Sequence, residues 1–297
     1  MTNQTVSIGI YGVGLIGGSL GKALKAYNKS VGYKKYRVFG IGRNINRLKK
    51  AKKLGAVDYY TTDPFEVISR LDVLVLAMRV DLIPKFAERL VDGLGPGAVI
   101  TDVGSVKKII TEKIVKLLSK KKKGNYFVPG HPIAGSEKTG VQNADKDLFR
   151  NAYCVLIKRK DIPKDKFNII KEMWKNTGAN VINMDPKDHD TSLALTSHLP
   201  HLLAMGLLLL VRDEKERNKQ VKILSAGSFR DLTRISDSDP DSWDSIFSLN
   251  KSELIKIISL YTSYLNKVKG FLSKGKSVKS LFEQAKSFRE KCFSLRD

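Results

Sequence analysis

The sequence predicts an α/β fold: an N-terminal, Rossmann-type, doubly wound and mainly parallel sheet, followed by an all-α C-terminal dimerisation domain. Three observations predict it. Short apolar strands alternate with amphipathic helices up to about residue 185, a Gly-rich turn joins the first strand to the first helix, and strand patterning stops beyond Asp185.

Val6–Tyr11 reads as the first strand, and Leu15–Tyr27 as the helix after the turn. Tyr36–Gly40, a helix over Asn46–Leu54 and the short Ala56–Tyr60 follow. Leu71–Met78 is an almost continuous apolar run, as expected of a strand covered on both faces. Ile83–Leu90 is helical, Ala98–Val103 a strand, and Val106–Leu118 helical again. Tyr126–Pro129 and Ala152–Ile157 complete the strand series, and a helix over Lys164–Thr177 with a strand over Asn180–Met184 closes the layer. From Pro186 onward only helical periodicities remain: Asp188–Val211, Lys215–Ser228, Ser242–Leu265 and Val278–Phe293. The expected division is therefore 1–185 for a dinucleotide-binding domain and 186–297 for a helical substrate and dimerisation domain. No internal repeat is visible. Lys120–Gly124 reads as a solvated surface turn and Gly270–Ser277 as a mobile link.

The 297 residues, 42% hydrophobic and 28% charged, have the composition of a globular protein. Met1–Thr5 is polar and runs straight into the first strand, so no leader peptide is expected. The longest apolar run, Leu202–Val211, is far shorter than the roughly 20 residues a bilayer span needs. It reads as a buried helix, and no membrane partner is expected; Leu199–Leu210 is more apolar than one small helical domain would bury alone, which points to an oligomer. Cys154 and Cys292 are far apart and not grouped with histidine or carboxylate at ligand spacing, which indicates neither a disulfide framework nor a metal site and fits a cytoplasmic location. The formal charge of +23 favours an anionic partner, but the lysines are spread along the chain and only Lys120–Lys123 forms a block. A solvated basic surface accounts for that better than nucleic acid does.

Gly12-Val13-Gly14-Leu15-Ile16-Gly17 follows a strand and opens a helix, the context in which GxGxxG marks a dinucleotide turn. Gly12 permits the turn, Gly14 admits the pyrophosphate and Gly17 lets helix and strand pack closely. Leu15 and Ile16 begin the helix whose free N–H groups face the phosphates. The acid that grips the ribose of NAD would stand at the end of the second strand. Gly42 occupies that place, with Arg43 next and Arg47 one turn on. Two guanidiniums suit a 2′-phosphate, which favours NADP over NAD; as plain alternatives, both are solvated charges.

Gly12–Leu20 (GVGLIGGSL), Asp102–Lys107 (DVGSVK), Gly130–Gly140 (GHPIAGSEKTG), Thr196–Leu202 (TSHLPHL) and Ser228–Trp243 (SFRDLTRISDSDPDSW) follow one another in an order that resembles the prephenate/arogenate dehydrogenases. The resemblance runs from about residue 6 to 265 and rests chiefly on the two histidine segments. It implies an oxidative decarboxylation with hydride transfer to NADP or NAD, a homodimer, and a stand-alone form without a chorismate mutase or ACT domain.

Residue by residue, the resemblance makes His131 the catalytic histidine, which on the residues alone is equally a loop-holding side chain beside Pro132. Ser105 matches the serine at the substrate hydroxyl and nicotinamide, and it serves equally as an N-cap for a helix starting at Val106. Asp102 opens the same segment on the cofactor side. Arg234 matches the arginine that holds a substrate carboxylate; a salt bridge to Asp237, Asp239 or Asp241 is the alternative. His201 matches a residue of the substrate pocket. His198, at i, i+3 from it, either shares that face or bonds another helix. Glu137 and Arg230 match a polar gate at the pocket mouth. The sequence departs from the family at Ala77-Met78-Arg79-Val80, where many members have proline after the strand. Two other readings remain open: a different Rossmann reductase with a helical dimerisation domain, acting on an imino acid or hydroxy acid, and an NADP-sensing or nucleic-acid-binding protein.

Overall fold

In the computed structural model the described residues are 5–136, 138–214, 220, 221 and 223–293. Six short strands, β1 (Val6–Tyr11), β2 (Tyr36–Ile41), β3 (Tyr59–Thr61), β4 (Val73–Leu76), β5 (Val99–Asp102) and β6 (Tyr126–Val128), form one sheet in the order β3-β2-β1-β4-β5-β6. Every pairing in it is parallel. This is the strand order of doubly wound dinucleotide-binding folds. The crossovers are α1 (Leu15–Val31), α2 (Ile45–Lys53), α3 (Ile83–Leu90) and α4 (Lys108–Lys121). All four β4 residues are fully buried, as the continuous apolar run requires.

One apolar cluster gathers Leu20 and Leu24 of α1 with Ile8, Ile10, Val73 and Val75. A second gathers Leu74, Leu76, Ile83 and Leu90 with Ile110 and Ile114 of α4. Each face of the sheet thus has its own helical cover.

The strand series does not end in that sheet. Gly130–Pro132 forms a short strand, β7, antiparallel to β8 (Tyr153–Ile157), and β8 pairs in parallel with β9 (Asn180–Met184). These three make a separate sheet, backed by α5 (Lys164–Lys175). The segment around His131, expected as a loop, is therefore strand, with His131 directly opposite Val155.

After Met184 the described chain is helical. α6 (Pro186–Leu193), one π-helical turn at Ala194–His198 and α7 (Leu199–Glu214) run on as a single 29-residue helix. Its most apolar stretch has mean hydropathy 1.7 and is long enough to cross a bilayer, whereas the short run Leu202–Val211 predicted no such element. Nor is it a buried helix: only 22% of that stretch is covered within the chain, and Met205, Leu208, Leu209 and Leu210 are exposed. α8 (Gly227–Thr233) and α9 (Pro240–Leu249) follow; of the helix expected over Lys215–Ser228, residues 215–219 and 222 lie outside the described residues, and the described ones are turn or irregular as far as Ala226, with helix starting only at Gly227.

By packing, the chain divides into two compact units, residues 1–251 and 252–297. Ile246 of α9 belongs to the apolar cluster under β4, which is why α6 to α9 stay in the first unit. The expected division at Asp185 marks where strands end. The second unit holds most of α10 (Lys251–Ser273), and α11 (Lys279–Phe293). Gly270 lies inside α10, so the link between these helices is shorter than expected and turns at Gly275, with φ +63°.

Candidate active site

The dinucleotide turn has the geometry its glycines predict. Gly12 adopts φ +100°, and a Cβ on it would meet the Ala77 carbonyl oxygen at 2.2 Å. A Cβ on Gly17 would meet the Gly12 carbonyl oxygen at the same distance. At Gly14 a Cβ would meet nothing within 4 Å, so the backbone there faces open space. Gly14 is also the N-cap of α1, has no side-chain cap, and is followed by no acid in the first turn. The uncapped N–H groups and the helix dipole therefore point at that space, which fits a pyrophosphate.

The space is one end of a cavity of about 710 Å³. Gly14, Leu15 and Ile16 line it, with Ala77 to Val80 after β4 and Val103, Gly104 and Ser105 after β5. Ala134, Gly135, Ser136, Lys138, Thr139 and Gly140 form another wall. From the helical part come Ser197, His201, Arg234, Ser242, Trp243 and Ile246. A ligand here sits outside the carboxyl ends of parallel strands, as in open α/β sheets generally.

Of the residues singled out in the sequence, the cavity thus brings together Gly14, Leu15, Ile16, Ser105, His201 and Arg234. Arg43 and Arg47 lie elsewhere, exposed after β2, where Asn44 caps α2 through the Arg47 N–H. Arg230 is exposed on α8 and does not line the cavity. Glu137 lies outside the described residues. Arg79 lines the cavity; its guanidinium forks onto Asp81 at 3.0–3.1 Å and reaches Asp241 of α9 at 2.9 Å.

Asp102 is fully buried and does not line the cavity. Its carboxylate binds the buried ammonium of Lys107 and accepts the N–H groups of Gly104 (3.0 Å) and Gly130 (3.1 Å). Lys107 also donates to the Gly130 carbonyl at 2.7 Å. This ion pair ties the β5–α4 loop to the start of β7, so it fixes the backbone from which both Ser105 and His131 project.

His131 is not among the residues that line the cavity; it lies behind that wall, 8% exposed, and its Nδ1 is 2.8 Å from Nε2 of His189, a fully buried side chain of α6. His189 Nδ1 lies 2.8 Å from Asp190 Oδ1. Asp190 also accepts the Lys107 N–H at 2.7 Å and the Lys108 N–H at 2.9 Å, so it caps α4 from another helix. α4 begins at Lys108, and Ser105 is not its cap. Burial first, then His189 and Lys107 nearby, hold the His131 imidazole well below the usual histidine range. Burial lowers His189 in the same sense.

Both histidines of the Ser-His-Leu-Pro-His segment meet Trp243, His198 edge-on with ring centroids 6.1 Å apart and His201 stacked. His198 is fully buried and meets Asn250 Nδ2 at 3.1 Å, away from the cavity lining. His201 donates from Nδ1 to the Ser197 carbonyl at 2.8 Å and stacks on Trp243, with ring centroids 3.5 Å apart. Sequence reasoning missed Lys107, His189, Asp190 and Trp243 as parts of this site. Only Lys107 and Trp243 carried a signal, since both fall inside the quoted motifs.

A six-stranded sheet in this order, with a glycine turn opening onto a ligand-sized cavity and helices closing the far wall, defines a nucleotide-binding dehydrogenase fold. The comparisons name the family. Residues 20–183 match the family model "Prephenate dehydrogenase, nucleotide-binding domain" and residues 185–287 match "Prephenate dehydrogenase, dimerization domain". The chain belongs to the prephenate dehydrogenase family. It is 29% identical to the prephenate dehydrogenase of Bacillus subtilis, over 98% of this chain and 77% of the relative. It is 31% identical to the cyclohexadienyl dehydrogenase of Zymomonas mobilis, over 88% of this chain and 87% of the relative. The crystal structure of prephenate dehydrogenase from Aquifex aeolicus, in complex with hydroxyphenyl propionate and NAD+, superposes with TM-score 0.87 at 30% identity, covering 98% of this chain and 99% of that one.

Proposed function

We propose that this chain oxidises prephenate to 4-hydroxyphenylpyruvate with loss of CO2, or arogenate to tyrosine, and uses NADP in preference to NAD. The observation that carries this reading is the one cavity running from the Gly14–Ile16 turn to Ser105, His201 and Arg234. The Aquifex aeolicus relative, in complex with hydroxyphenyl propionate and NAD+, supports an aromatic substrate and a nicotinamide cofactor, while the preference for NADP rests on Arg43 and Arg47 alone.

Gly12, Gly14 and Gly17, with the first turn of α1, would hold the pyrophosphate, and Arg43 with Arg47 would hold a 2′-phosphate. When bound, the dinucleotide supplies the acceptor for the hydride from the ring carbon that carries the 4-hydroxyl. His131 takes the hydroxyl proton, and burial keeps its imidazole neutral and able to accept. Ser105 positions that hydroxyl. Arg234, at the helical end of the cavity, binds a substrate carboxylate, and His201 lines the same wall. The ring carboxylate leaves as CO2 while the ring aromatises, and the borrowed proton returns to the phenolic oxygen, so no proton is consumed overall. Arg230 and Glu137 are assigned to the mouth of the site. Asp102 acts through Lys107 and the backbone, and His198 through Asn250.

With the division at residue 185, the nucleotide-binding turn, Ser105 and His131 fall before it, and Arg234 and His201, assigned to the substrate, fall after it. A second copy of the chain covers the exposed face of α7, in keeping with the dimerization-domain match. Purified protein incubated with NADP and prephenate should generate absorbance at 340 nm. No turnover of prephenate or arogenate with either cofactor would refute the reading, and steep salt-dependent binding of generic DNA would replace it with a nucleic-acid role for the +23 charge.

A further inference from the structure

The geometry points to His189 and Asp190 as positioning residues for the base: a relay Asp190–His189–His131 that fixes which nitrogen of His131 faces the substrate. The inference rests on the proposed role of His131 and adds two residues of α6 to it. Neither was visible as a partner in the sequence, because 58 residues separate His131 from His189.

The proton positions follow from the donors around Asp190. Oδ1 accepts the Lys107 N–H and Oδ2 the Lys108 N–H, both at the amino end of α4. A carboxylate so placed is an acceptor, so the His189 Nδ1 at 2.8 Å must be the donor. Neutral His189 then has a lone pair on Nε2. That lone pair faces His131 Nδ1 at 2.8 Å, so His131 Nδ1 carries the hydrogen. The remaining nitrogen of His131, Nε2, is left unprotonated, which is the state a general base requires. Each link decides the next, and the chain ends on a helix N-terminus that the main fold holds rigidly. The Asn250 Nδ2 donates to the Asp190 carbonyl at 2.8 Å and fixes α6 from α9.

The arrangement follows the logic by which a buried carboxylate orients a histidine base in acyl-transfer enzymes, extended here by one imidazole. When His131 takes the proton, its Nδ1–H bond to His189 and the Asp190 charge behind it stabilise the imidazolium. The proton stays on His131, and Asp190 is not protonated. The charged and titratable groups facing the pair are Lys107 and Asp102 from β5 and its loop, Asp190 on α6, His198 in the π-helical turn and Cys154 on β8. Of these only Asp190 contacts His189 through its side chain on the side away from His131.

The test compares His189→Leu, which breaks the relay, with His189→Gln, whose amide can donate to Asp190 and accept from His131. In His189→Leu we expect turnover to fall roughly 10²-fold, within the range that general-base assistance supplies. The KM for NADP should be unchanged. The acid limb of kcat/KM should move to lower pH, because the His131 imidazolium has lost its acceptor. His189→Gln should recover turnover to within about tenfold of wild type, since orientation and tautomer are restored. In a His131→Asn background, His189→Leu should cause no further loss. Ring 15N NMR should show the His131 proton on Nδ1 in the wild type, a readout that needs no variant to fold and no turnover. His131→Asn that keeps its turnover would overturn the base role and the relay with it. A disabled His131→Asn beside a His189→Leu of wild-type turnover and acid limb would overturn the relay alone. So would a proton on Nε2 in the NMR, or a folded Gln variant as impaired as the Leu variant.

Discussion

His201 lies flat against Trp243, with ring planes 22° apart and centroids separated by 3.5 Å. Since His201 Nδ1–H is taken by the Ser197 carbonyl, the neutral ring offers its Nε2 as an acceptor on the cavity wall. Burial lowers the His201 pKa, which keeps that ring neutral near pH 7. A neutral hydrogen bond is worth about 0.5–1.5 kcal/mol, so His201→Leu should raise the KM for prephenate about two- to tenfold. Steady-state kinetics checks it, and an unchanged KM would remove His201 from the substrate site.

Lys107 and Asp102 are both fully buried and paired. Removing one partner of such a pair leaves an uncompensated charge and costs about 3–5 kcal/mol. Lys107→Met should therefore lower unfolding free energy in urea by about that much. Adding Asp102→Asn, which keeps an acceptor for the Gly104 and Gly130 N–H groups, should restore part of it. If the double variant is no more stable than the single one, the loss comes from the Gly130 contact instead.

The larger architecture was legible from residues 6 to 184, because strands buried on both faces and a glycine turn with defined backbone needs leave a local imprint. Gly12 and Gly17 show why: each is required by a carbonyl 2.2 Å from its missing Cβ. His131 as strand rather than loop was not legible, since β7 is three residues long and is held by pairing with distant β8. Likewise the cap of α4 comes from Asp190, 82 residues on from Lys108, and no local rule could name it. His198 meets Asn250 at the end of α9, the helix–helix alternative that i, i+3 spacing left open beside a place on the cavity face, because spacing along one helix does not say which neighbour packs against it. The α7 face was legible in part: Leu199–Leu210 is more apolar than one small helical domain would bury, but one chain's sequence cannot say how much of such a face is covered by its own core and how much by a second copy.

Arg43 should read the cofactor. It is exposed after β2, where no acid stands between Ile41 and Arg47. Hydrogen bonds to a charged group are worth about 1.5–3 kcal/mol, so Arg43→Ala should raise the KM for NADP by about tenfold or more and leave NAD nearly unaffected. A wild type that prefers NAD, or equal loss with both cofactors, would assign the discrimination elsewhere.

Arg234 lines the cavity from the turn after α8. Lysine keeps the charge but lacks the planar fork that matches a carboxylate. Arg234→Lys should weaken prephenate saturation by about tenfold, in line with the loss of one charge-assisted hydrogen bond, while NADP saturation stays normal. Unchanged prephenate saturation would sink the assignment.

Acid should unfold the protein through its buried histidines before its carboxylates titrate. Burial pushes His198 down to about 4, and it also lowers His131 and His189. A folded-state pKa below the unfolded value of about 6.5 means that the unfolded chain binds more protons between the two. Stability is then fully present above about pH 6.5 and declines as pH falls toward the folded-state value. Each such proton contributes a slope of about 1.4 kcal/mol per pH unit. His198 is the informative one, because its Nε2 is buried without a hydrogen-bond partner among the described residues, so the proton it would gain has no acceptor waiting. His198→Leu should lower stability at pH 7 through the lost Asn250 contact, and it should also flatten the dependence of unfolding free energy on pH between about 4.5 and 5.5 by close to one proton. Urea unfolding of wild type and variant across that range measures both quantities. An identical slope in the two proteins would mean that His198 already carries its proton in the folded state.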